Sequence, residues 1–391
     1  MKSERGVVAT AVACHFVASF AALGIPPYFP IILETSLHSH QTSLAGIFYV
    51  VPTTLVAITS PLWGSLADRF GKKPMLLRAQ FGLALSFLLA AYASSTVTFF
   101  AALVLQGIVG GTFSATNAYL ATVTRGRSLV SGLTAMQASA RSALVLAPIV
   151  VGALLDTANP IAIYRPLALL PLLAAIIVWR LPESSEPAAA PKKASQANEL
   201  PVLDARQIYW LQAIFVFATV VTFPYFVPLV RDMVSGGSRL TSGALFGLPH
   251  LVYIVASAPL MPYFASRGTG ALSAAFGLLA ASLLAQAHAG SVVPLVAARL
   301  LMGVAMTASF IVFHAQIARV VGREGAGRAF GWFESSSKWG AVAAGVAAGF
   351  AVQTFGLRCP FYLGALAMGG AATYLLVVAP RGQRIASLEE P

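Results

Sequence analysis

The decapeptide GSLADRFGKK occupies residues 64–73, at the junction of two long apolar stretches. Its glycines indicate a tight turn, and the turn carries one acid, Asp68, beside the three bases Arg69, Lys72 and Lys73. An acid at a helix junction can pair with a base, or bind the N-terminus of a neighbouring helix, in one conformation and release it in another. The same residues are also consistent with an ordinary basic loop at a membrane surface, in which the acid has no special role.

The composition around this junction is that of an integral membrane protein. Of the 391 residues, 58% are hydrophobic and 10% are charged, whereas soluble domains carry about 25% charged residues. So few charges cannot cover a water-facing surface of this size, which excludes a soluble enzyme, and the low charge excludes a disordered chain. The net charge of +12 arises from bases in short loops between apolar runs. Such bases orient membrane proteins, so we expect no binding to nucleic acid.

The apolar stretches predict the membrane topology, since a spanning helix needs about 20 mainly apolar residues. We predict an all-α membrane protein with twelve transmembrane helices, at residues 6–33, 43–66, 74–93, 97–122, 129–155, 162–179, 207–230, 243–264, 271–289, 292–319, 329–355 and 359–379. Most of the 25 Lys and Arg residues fall on the side of the N-terminus, so both termini are predicted to be cytoplasmic. We expect a multi-pass protein of the cytoplasmic (inner) membrane of a bacterium.

The chain divides into two related halves. The polar segment 182–206, rich in Pro and Ala, predicts a cytoplasmic linker between an N-terminal six-helix bundle, 1–181, and a C-terminal six-helix bundle, 207–391. The tripeptide Pro-Tyr-Phe at 27–29 recurs at 224–226, and Gly152 recurs as Gly349 at the same offset. Two parallel six-helix pseudo-repeats are typical of transporters that bind substrate at the repeat interface, and they argue against a membrane enzyme.

The decapeptide resembles the G-x-L-A-D-R-x-G-R/K-K signature of the major facilitator superfamily and matches it at every position. With the twelve predicted helices and the half-length repeat, this resemblance covers the whole chain. It implies the major facilitator fold and secondary transport by alternating access. It also implies that part of the decapeptide is a conformational latch rather than a substrate site. The residues of this latch would be Gly64, Asp68, Arg69, Gly71 and Lys72.

Other signatures of the family are only partly present. Gln106-Gly107 is similar to the R-x-x-Q-G segment of the fourth helix, but Leu103 stands where the family has Arg. The stretch APIVVG at 147–152 is similar to a G-P-x-x-G-G motif, with two glycines replaced, and so resembles the drug/proton antiporter branch and favours efflux. Residues 137–152 and 334–338 are also similar to bacterial siderophore exporters.

Three bases fall inside predicted helices. Insertion scales give a free-energy cost of about 2.5–3.5 kcal/mol for a charged residue at the centre of a membrane helix, so such residues normally face a cavity. Arg141 and Lys338 occupy matching positions in the fifth and eleventh helices, and Arg299 lies in the tenth. Because a cationic cavity selects anions, we predict that these bases bind oxygen groups of the substrate. Alternatively, Lys338 forms a structural pair with Glu334, and Arg299 holds a neighbouring helix through backbone carbonyl groups.

Proton coupling requires a group whose charge changes during the transport cycle. Glu334 is the first candidate, because substrate binding at Lys338 would change how firmly this carboxylate holds a proton. Glu34, near the outer end of the first helix, is the second. Tyr28 and Tyr225 flank matching prolines and are predicted to contact substrate as gate residues, although packing is an equal alternative. Three histidines inside predicted helices are interpreted as packing residues: His15, His250 and His314.

The favoured function is therefore proton-coupled efflux of a small organic anion or a siderophore-like chelator, by proton antiport. The alternatives are a multidrug/proton antiporter, a proton-coupled importer of an organic acid or sugar, and a sensor that uses a transporter fold. The expected partners are an anionic small molecule, protons and the lipid bilayer. We expect a monomer without cofactor, metal or catalytic residues. No ATP-binding loop is present in the sequence, so an ion gradient is the expected energy source.

Overall fold

The computed structural model describes residues 4–39, 43–156, 158–183, 203–233, 239–322 and 325–386. Within these ranges the chain is helical and contains no strand. We number the helices so that each label corresponds to one predicted transmembrane helix. They are α1 (Glu4–Gly24, continued by short helical turns to Ser36), α2 (Ser43–Phe70), α3 (Lys72–Ala91), α4 (Thr96–Val109 and Thr112–Val123), α5 (Gly126–Leu154), α6 (Tyr164–Trp179, preceded by the turn Pro160–Ile163), α7 (Ala205–Val220 and Phe223–Met233), α8 (Arg239–Phe264), α9 (Thr269–His288), α10 (Val292–Val320), α11 (Ala326–Phe355) and α12 (Cys359–Ala386).

Eleven of the helices in the described ranges are long and apolar enough to cross a membrane. The exception is α11, which has 30 residues but carries Arg328, Glu334 and Lys338 among many glycines and serines, so its mean hydropathy is lower. The predicted helix ends lie within a few residues of the observed ones, and the largest difference is at the end of α12. The prediction of an all-helical multi-pass membrane protein is confirmed. Twelve crossings in two repeats stay a prediction, and most of the predicted linker lies outside the described residues.

The helices form two compact units. The first contains residues 1–188 together with 321–338, and the second contains residues 189–320 together with 339–391. In the first unit, α1 packs on α5 and α6, α2 packs on α4, and α3 packs on α6. In the second unit, α9 packs on α10 and α12, and α8 packs on α10. The boundary between the units falls inside α11, directly after Lys338, so the first part of α11 belongs to the first unit.

Two packing contacts recur in both units at positions related by the sequence offset. In the first unit, a Cβ atom on Gly152 of α5 would overlap the hydroxyl group of Tyr28. In the second unit, a Cβ atom on Gly349 of α11 would lie 3.8 Å from the hydroxyl group of Tyr225. A tyrosine therefore lies near the equivalent glycine in each unit, and at Gly152 the absence of a side chain is what makes room for it.

The second recurring contact joins helices through another pair of glycines. A Cβ atom on Gly107 of α4 would lie 2.6 Å from Cβ of Leu55 in α2, and one on Gly303 of α10 would lie 2.5 Å from Cβ of Val252 in α8. Leu55 and Val252 are related by the offset found in the sequence. The offset thus relates packing contacts as well as sequence matches.

The structure interrupts α4 where the sequence predicts one continuous helix. Gly111 has φ +87°, a left-handed conformation that glycine adopts without steric penalty. The carbonyl groups at the end of the first segment accept hydrogen bonds from Trp63 Nε1, at 2.6 Å to Ile108, and from Arg78 Nη1, at 2.9 Å to Val109. Inside a membrane, backbone groups released by a helix break must find partners within the protein. Here α2 and α3 supply these partners.

Candidate functional site

The turn between α2 and α3 binds the start of α11 through one carboxylate. Gly71 makes the turn with φ +100°. Asp68 accepts a hydrogen bond from the backbone N–H of Gly327 at Oδ1 and another from the backbone N–H of Arg328 at Oδ2, both at 2.8 Å. These N–H groups belong to the first turn of α11 and have no partner within the helix. The negative charge also complements the positive end of the helix dipole. Lys72 Nζ lies 3.1 Å from Asp68 Oδ1.

Small residues allow α2 and α11 to approach closely at this point. A Cβ atom on Gly64 would overlap the backbone carbonyl of Gly327, and one on Gly331 would overlap the carbonyl of Ser60. Small residues spaced four apart on both helices are the usual means by which membrane helices come close together. The close packing places Asp68 within hydrogen-bond distance of the α11 amides. Arg69, by contrast, is exposed.

Glu334 and Lys338 are predicted site residues that the structure brings together. Lys338 Nζ lies 3.3 Å from Glu334 Oε1, and the side chains are 37% and 6% exposed, respectively. With a rise of about 1.5 Å per residue, Lys338 lies roughly 18 Å along the axis from the first residue of α11. A buried acid and a partly accessible base therefore form an ion pair well inside the helix.

His15 of α1 is a buried, hydrogen-bonded residue, in line with the packing role that the sequence suggested for it. Its imidazole is 2% exposed and forms hydrogen bonds with Ser139 Oγ at Nδ1, 2.8 Å, and with Ser19 Oγ at Nε2, 3.1 Å. The bond to Ser139 joins α1 to α5.

The first unit contains three further predicted site residues. Arg141 is near the middle of α5, two residues after Ser139, and is partly buried. Glu34 is exposed near the end of α1. Tyr28 is partly buried, and its hydroxyl group donates a hydrogen bond to the carbonyl of Pro148. This bond ties the end of α1 to the APIVVG stretch of α5.

Arg299 is enclosed in the second unit, where it is 1% exposed. Its Nε donates a hydrogen bond to the carbonyl of Leu245 at 3.0 Å, its Nη2 donates to the carbonyl of Phe246, and its Nη1 donates to Gln286 Oε1 at 3.3 Å. The guanidinium also lies 4.2 Å from the ring centroid of Phe226, at a distance typical of a cation–π contact. These contacts support the alternative in which Arg299 holds neighbouring helices rather than substrate.

The described residues show no site suited to a metal ion. Among them, no group of three or more His, Cys, Asp or Glu side chains lies close enough together to hold one. Cys14 is buried and Cys359 is partly buried, and neither forms a disulfide bond.

The described helices therefore form two compact units, and the first unit contains both a carboxylate that binds a helix N-terminus and an acid–base pair inside a helix. The family model for the Major Facilitator Superfamily matches residues 11–285 and 267–391. The chain therefore belongs to the major facilitator superfamily, as the decapeptide predicted.

Relatives with described roles match only part of the chain. The multidrug resistance protein MdtG of Enterobacter lignolyticus is 31% identical over 157 residues, which is 39% of this chain and 37% of that protein. MdtG of Salmonella arizonae is 30% identical over 156 residues, which is 39% of this chain and 38% of that protein. The match thus spans less than half the length of these relatives.

Solved structures match almost the whole chain at low identity. The human organic anion transporter MFSD10 (TETRAN) has a TM-score of 0.79 and 19% identity, covering 96% of this chain and 100% of the other. The transporter FucP in its outward conformation has a TM-score of 0.73 and 13% identity, covering 96% and 99%. A bacterial homologue of the iron transporter ferroportin has a TM-score of 0.72 and 15% identity, covering 95% and 98%. At these identities the matches show the fold alone.

The contacts of Arg299 predict a large effect of its removal on stability. We expect Arg299→Ala to lower the free energy of unfolding by about 2 kcal/mol or more, because buried carbonyl groups lose a charged donor. Arg319→Ala, at an exposed position of the same helix, is the matched control and should leave stability unchanged. Thermal unfolding of the purified proteins in one detergent measures both. Equal unfolding temperatures for the two variants would contradict the structural role of Arg299.

Proposed function

We propose that this transporter exports a small organic anion across the bacterial cytoplasmic membrane by alternating access, coupled to protons and with both termini in the cytoplasm. The observation that carries the proposal is the environment of Lys338. This lysine lies well inside a helix, yet its side chain is 37% exposed while its partner Glu334 is 6% exposed. A lysine at such depth is costly in lipid and normally faces a water-filled cavity.

The proposed anion site consists of Lys338 and Arg141, which occupy matching positions in α11 and α5. An ammonium group and a guanidinium group together supply several charged donors for carboxylate, hydroxyl or hydroxamate oxygens. With Glu334 ionised, these three residues carry a net positive charge. This balance favours an oxygen-rich anion such as a siderophore-like chelator. Arg299 has its donors engaged elsewhere and is not part of the proposed site.

The remaining predicted residues take supporting roles in this proposal. Tyr28 and Tyr225 stand at equivalent glycines of α5 and α11, and we assign them to the gates that limit access to the substrate. Glu334 is the proton-coupling residue, because it is the partner of the base that binds the anion. Glu34 is exposed near the end of α1, where it would take up protons from the outer side. The protein would carry out this cycle as a monomer.

The latch couples the α2–α3 turn to α11. Asp68 holds the first turn of α11 by two charge-assisted hydrogen bonds, which are stronger than neutral ones. Separation of α2 from α11 would break both bonds and open the Gly64–Gly327 contact. We therefore assign to the latch the stabilisation of one conformation of the transport cycle.

A second candidate function is multidrug/proton antiport, which the similarity to MdtG favours. A site for lipophilic cations would need an acid that is free to bind them. Among the residues whose burial is described, Glu334 is the acid that is buried inside a helix. It already pairs with Lys338. Import of an organic acid or sugar is the third candidate, and flux measurements separate all three.

Exchange in proteoliposomes tests the proposed site with citrate as the anionic probe and tetraphenylphosphonium as the cationic probe. We expect labelled citrate to exchange in vesicles containing the wild-type protein. Lys338→Gln and Arg141→Gln should each reduce this exchange at least tenfold, because each removes one positive charge from the site. Arg319→Gln should exchange citrate like the wild type. Exchange of tetraphenylphosphonium without exchange of citrate would contradict the anion site and support the multidrug function.

The latch predicts a change in conformation when its charge is removed. In Asp68→Asn the amide group cannot make both charge-assisted bonds, so the α2–α11 contact should open more often. Ser60 is 2% exposed and lies against Gly331, so its accessibility reports this opening. In a background with both native cysteines replaced by serine, Ser60→Cys should react with N-ethylmaleimide several-fold faster when Asp68→Asn is present.

The control for this labelling experiment is Asp156→Asn, which removes an exposed acid that binds a loop amide. It should leave the reaction of the cysteine at position 60 unchanged. Equal labelling rates with and without Asp68→Asn would show that Asp68 does not hold α2 against α11.

A further inference from the structure

We infer that a single monatomic anion, such as chloride, binds in the break of α4, between Arg78 and the first turn of the second segment. The break lies where the segment Thr96–Val109 ends and the segment Thr112–Val123 begins. The residues that carry the inference belong to α2, α3 and α4. It therefore does not depend on the proposed substrate site at Lys338.

The carbonyl groups at the break already have donors. The carbonyl of Ile108 accepts a hydrogen bond from Trp63 Nε1 at 2.6 Å. Arg78 donates from Nη1 to the carbonyl of Val109 at 2.9 Å and from Nη2 to that of Gly110 at 3.3 Å. Its guanidinium also lies over the indole of Trp63, 3.7 Å from the ring centroid. The end of the first segment therefore offers its acceptors to groups that are already in place.

Donors, by contrast, are left over at the break. The second segment begins after Gly111, and no side chain caps its N-terminus. The N–H groups of Thr112, Phe113 and Ser114 lie in its first turn, so they have no partner within the helix. Nε of Arg78 is buried and also has no hydrogen-bond partner among the described residues. A ligand at this place must therefore be an acceptor.

A buried hydroxyl group points at the same place. Ser60 of α2 is 2% exposed, and its Oγ forms no hydrogen bond within the described part of the chain. This oxygen lies 4.0 Å from the position that a Cβ atom on Gly111 would occupy. A buried hydroxyl group without a partner is costly, and a hydroxyl group can donate to an anion. Ser60 is thus an observation independent of the helix N-terminus.

A small cavity adjoins the break. Its lining includes Arg78, Trp63, Gly111 and Ser114. Its volume of about 10 Å³ leaves room for about one water molecule or one monatomic ion. Met75 forms another part of the lining, and a methionine side chain adapts easily to the size of a neighbour. The cavity is too small for a carboxylate or phosphate ligand.

The balance of charge favours an anion over water. No carboxylate among the described residues lies at ion-pair distance from Arg78, since Asp68 binds Lys72 and the amides of α11. A water molecule would have to place its two hydrogens on acceptors, and the carbonyl groups here already have donors. An anion accepts from all the free donors, offsets the guanidinium charge and lies at the positive end of the helix dipole.

The cavity connects the anion to the latch. Gly64 and Gly327, which approach closely where Asp68 binds α11, also line this cavity. Separation of α2 from α11 would open this side of the cavity and expose the anion to solvent. A bound anion should therefore stabilise the conformation in which the latch is closed, and Asp68→Asn should weaken anion binding several-fold.

Thermal unfolding of the purified full-length protein tests the site, with sodium chloride replacing sodium gluconate at constant ionic strength. We expect the unfolding temperature of the wild type to rise by about 2 °C or more and then to saturate, because the ligand binds the folded state. Arg78→Gln should abolish this rise. Arg165→Gln removes an arginine that lies over Tyr92 instead, and this matched control should keep it. Lys338→Gln should also keep it, which distinguishes the site from the proposed substrate site.

Ser60→Ala decides the question even where Arg78→Gln fails to fold. This variant keeps both carbonyl bonds of Arg78 and removes only a hydroxyl group, so the chloride concentration at half-maximal rise should increase several-fold. The inference is overturned if the wild type shows no rise, if the rise survives in Arg78→Gln, or if Ser60→Ala has the midpoint of the wild type. An unchanged midpoint in Asp68→Asn would overturn the connection to the latch.

Crystals of the wild-type protein soaked in sodium bromide locate the ion directly. We expect an anomalous difference peak within hydrogen-bond distance of Arg78 Nε and next to Gly111. A water molecule at this position, without an anomalous signal, would overturn the assignment of an anion.

Discussion

The cost of an unpartnered polar group in hydrocarbon governs this structure, because membrane lipid offers no hydrogen bonds to replace those of water. Two polar features within the described helices are met by other parts of the chain. The backbone carbonyl groups at the break in α4 are met by Trp63 and Arg78, and the guanidinium of Arg299 is met by carbonyl groups of α8. Lys338 differs, since its side chain keeps partial exposure beside a buried acid. Arg299 is enclosed by backbone groups and has a structural role. Lys338 stays accessible, and we therefore assign the proposed transport role to it.

One helix carries both functional features of the first unit. The amides that bind Asp68 lie in the first turn of α11, and the Glu334–Lys338 pair lies farther along the same continuous helix. A helix moves as a rigid element, so displacement of its first turn would be transmitted to the ion pair. In the proposed cycle, a change of charge at Lys338 and release of Asp68 would therefore act on the same element. The coupling needs no chain of intermediate contacts, because the helix itself connects the two places.

Sequence patterns predicted the helices well because membrane helices are specified by the length of apolar stretches, which is a local property. The break before Gly111 was not predicted, since the apolar pattern continues through it and the partners of the free carbonyl groups lie on other helices. The decapeptide identified the family, but it could not show that Asp68 binds amides about 260 residues away. Likewise, depth alone did not distinguish Arg299 from Lys338, because both lie inside predicted helices and only their contacts differ. The hydrogen bond between His15 of α1 and Ser139 of α5 likewise required the structure.

The most direct measurement of the central claim is an untargeted mass-spectrometric comparison of medium and cell extract from null and overexpressing bacteria, with and without iron limitation. The proposed export of an oxygen-rich organic anion predicts that such a compound disappears from the medium of the null strain and accumulates inside its cells. Overexpression should shift the same compound toward the medium. A nutrient that remains unconsumed outside the null cells, with no compound retained inside, would contradict export and identify an importer.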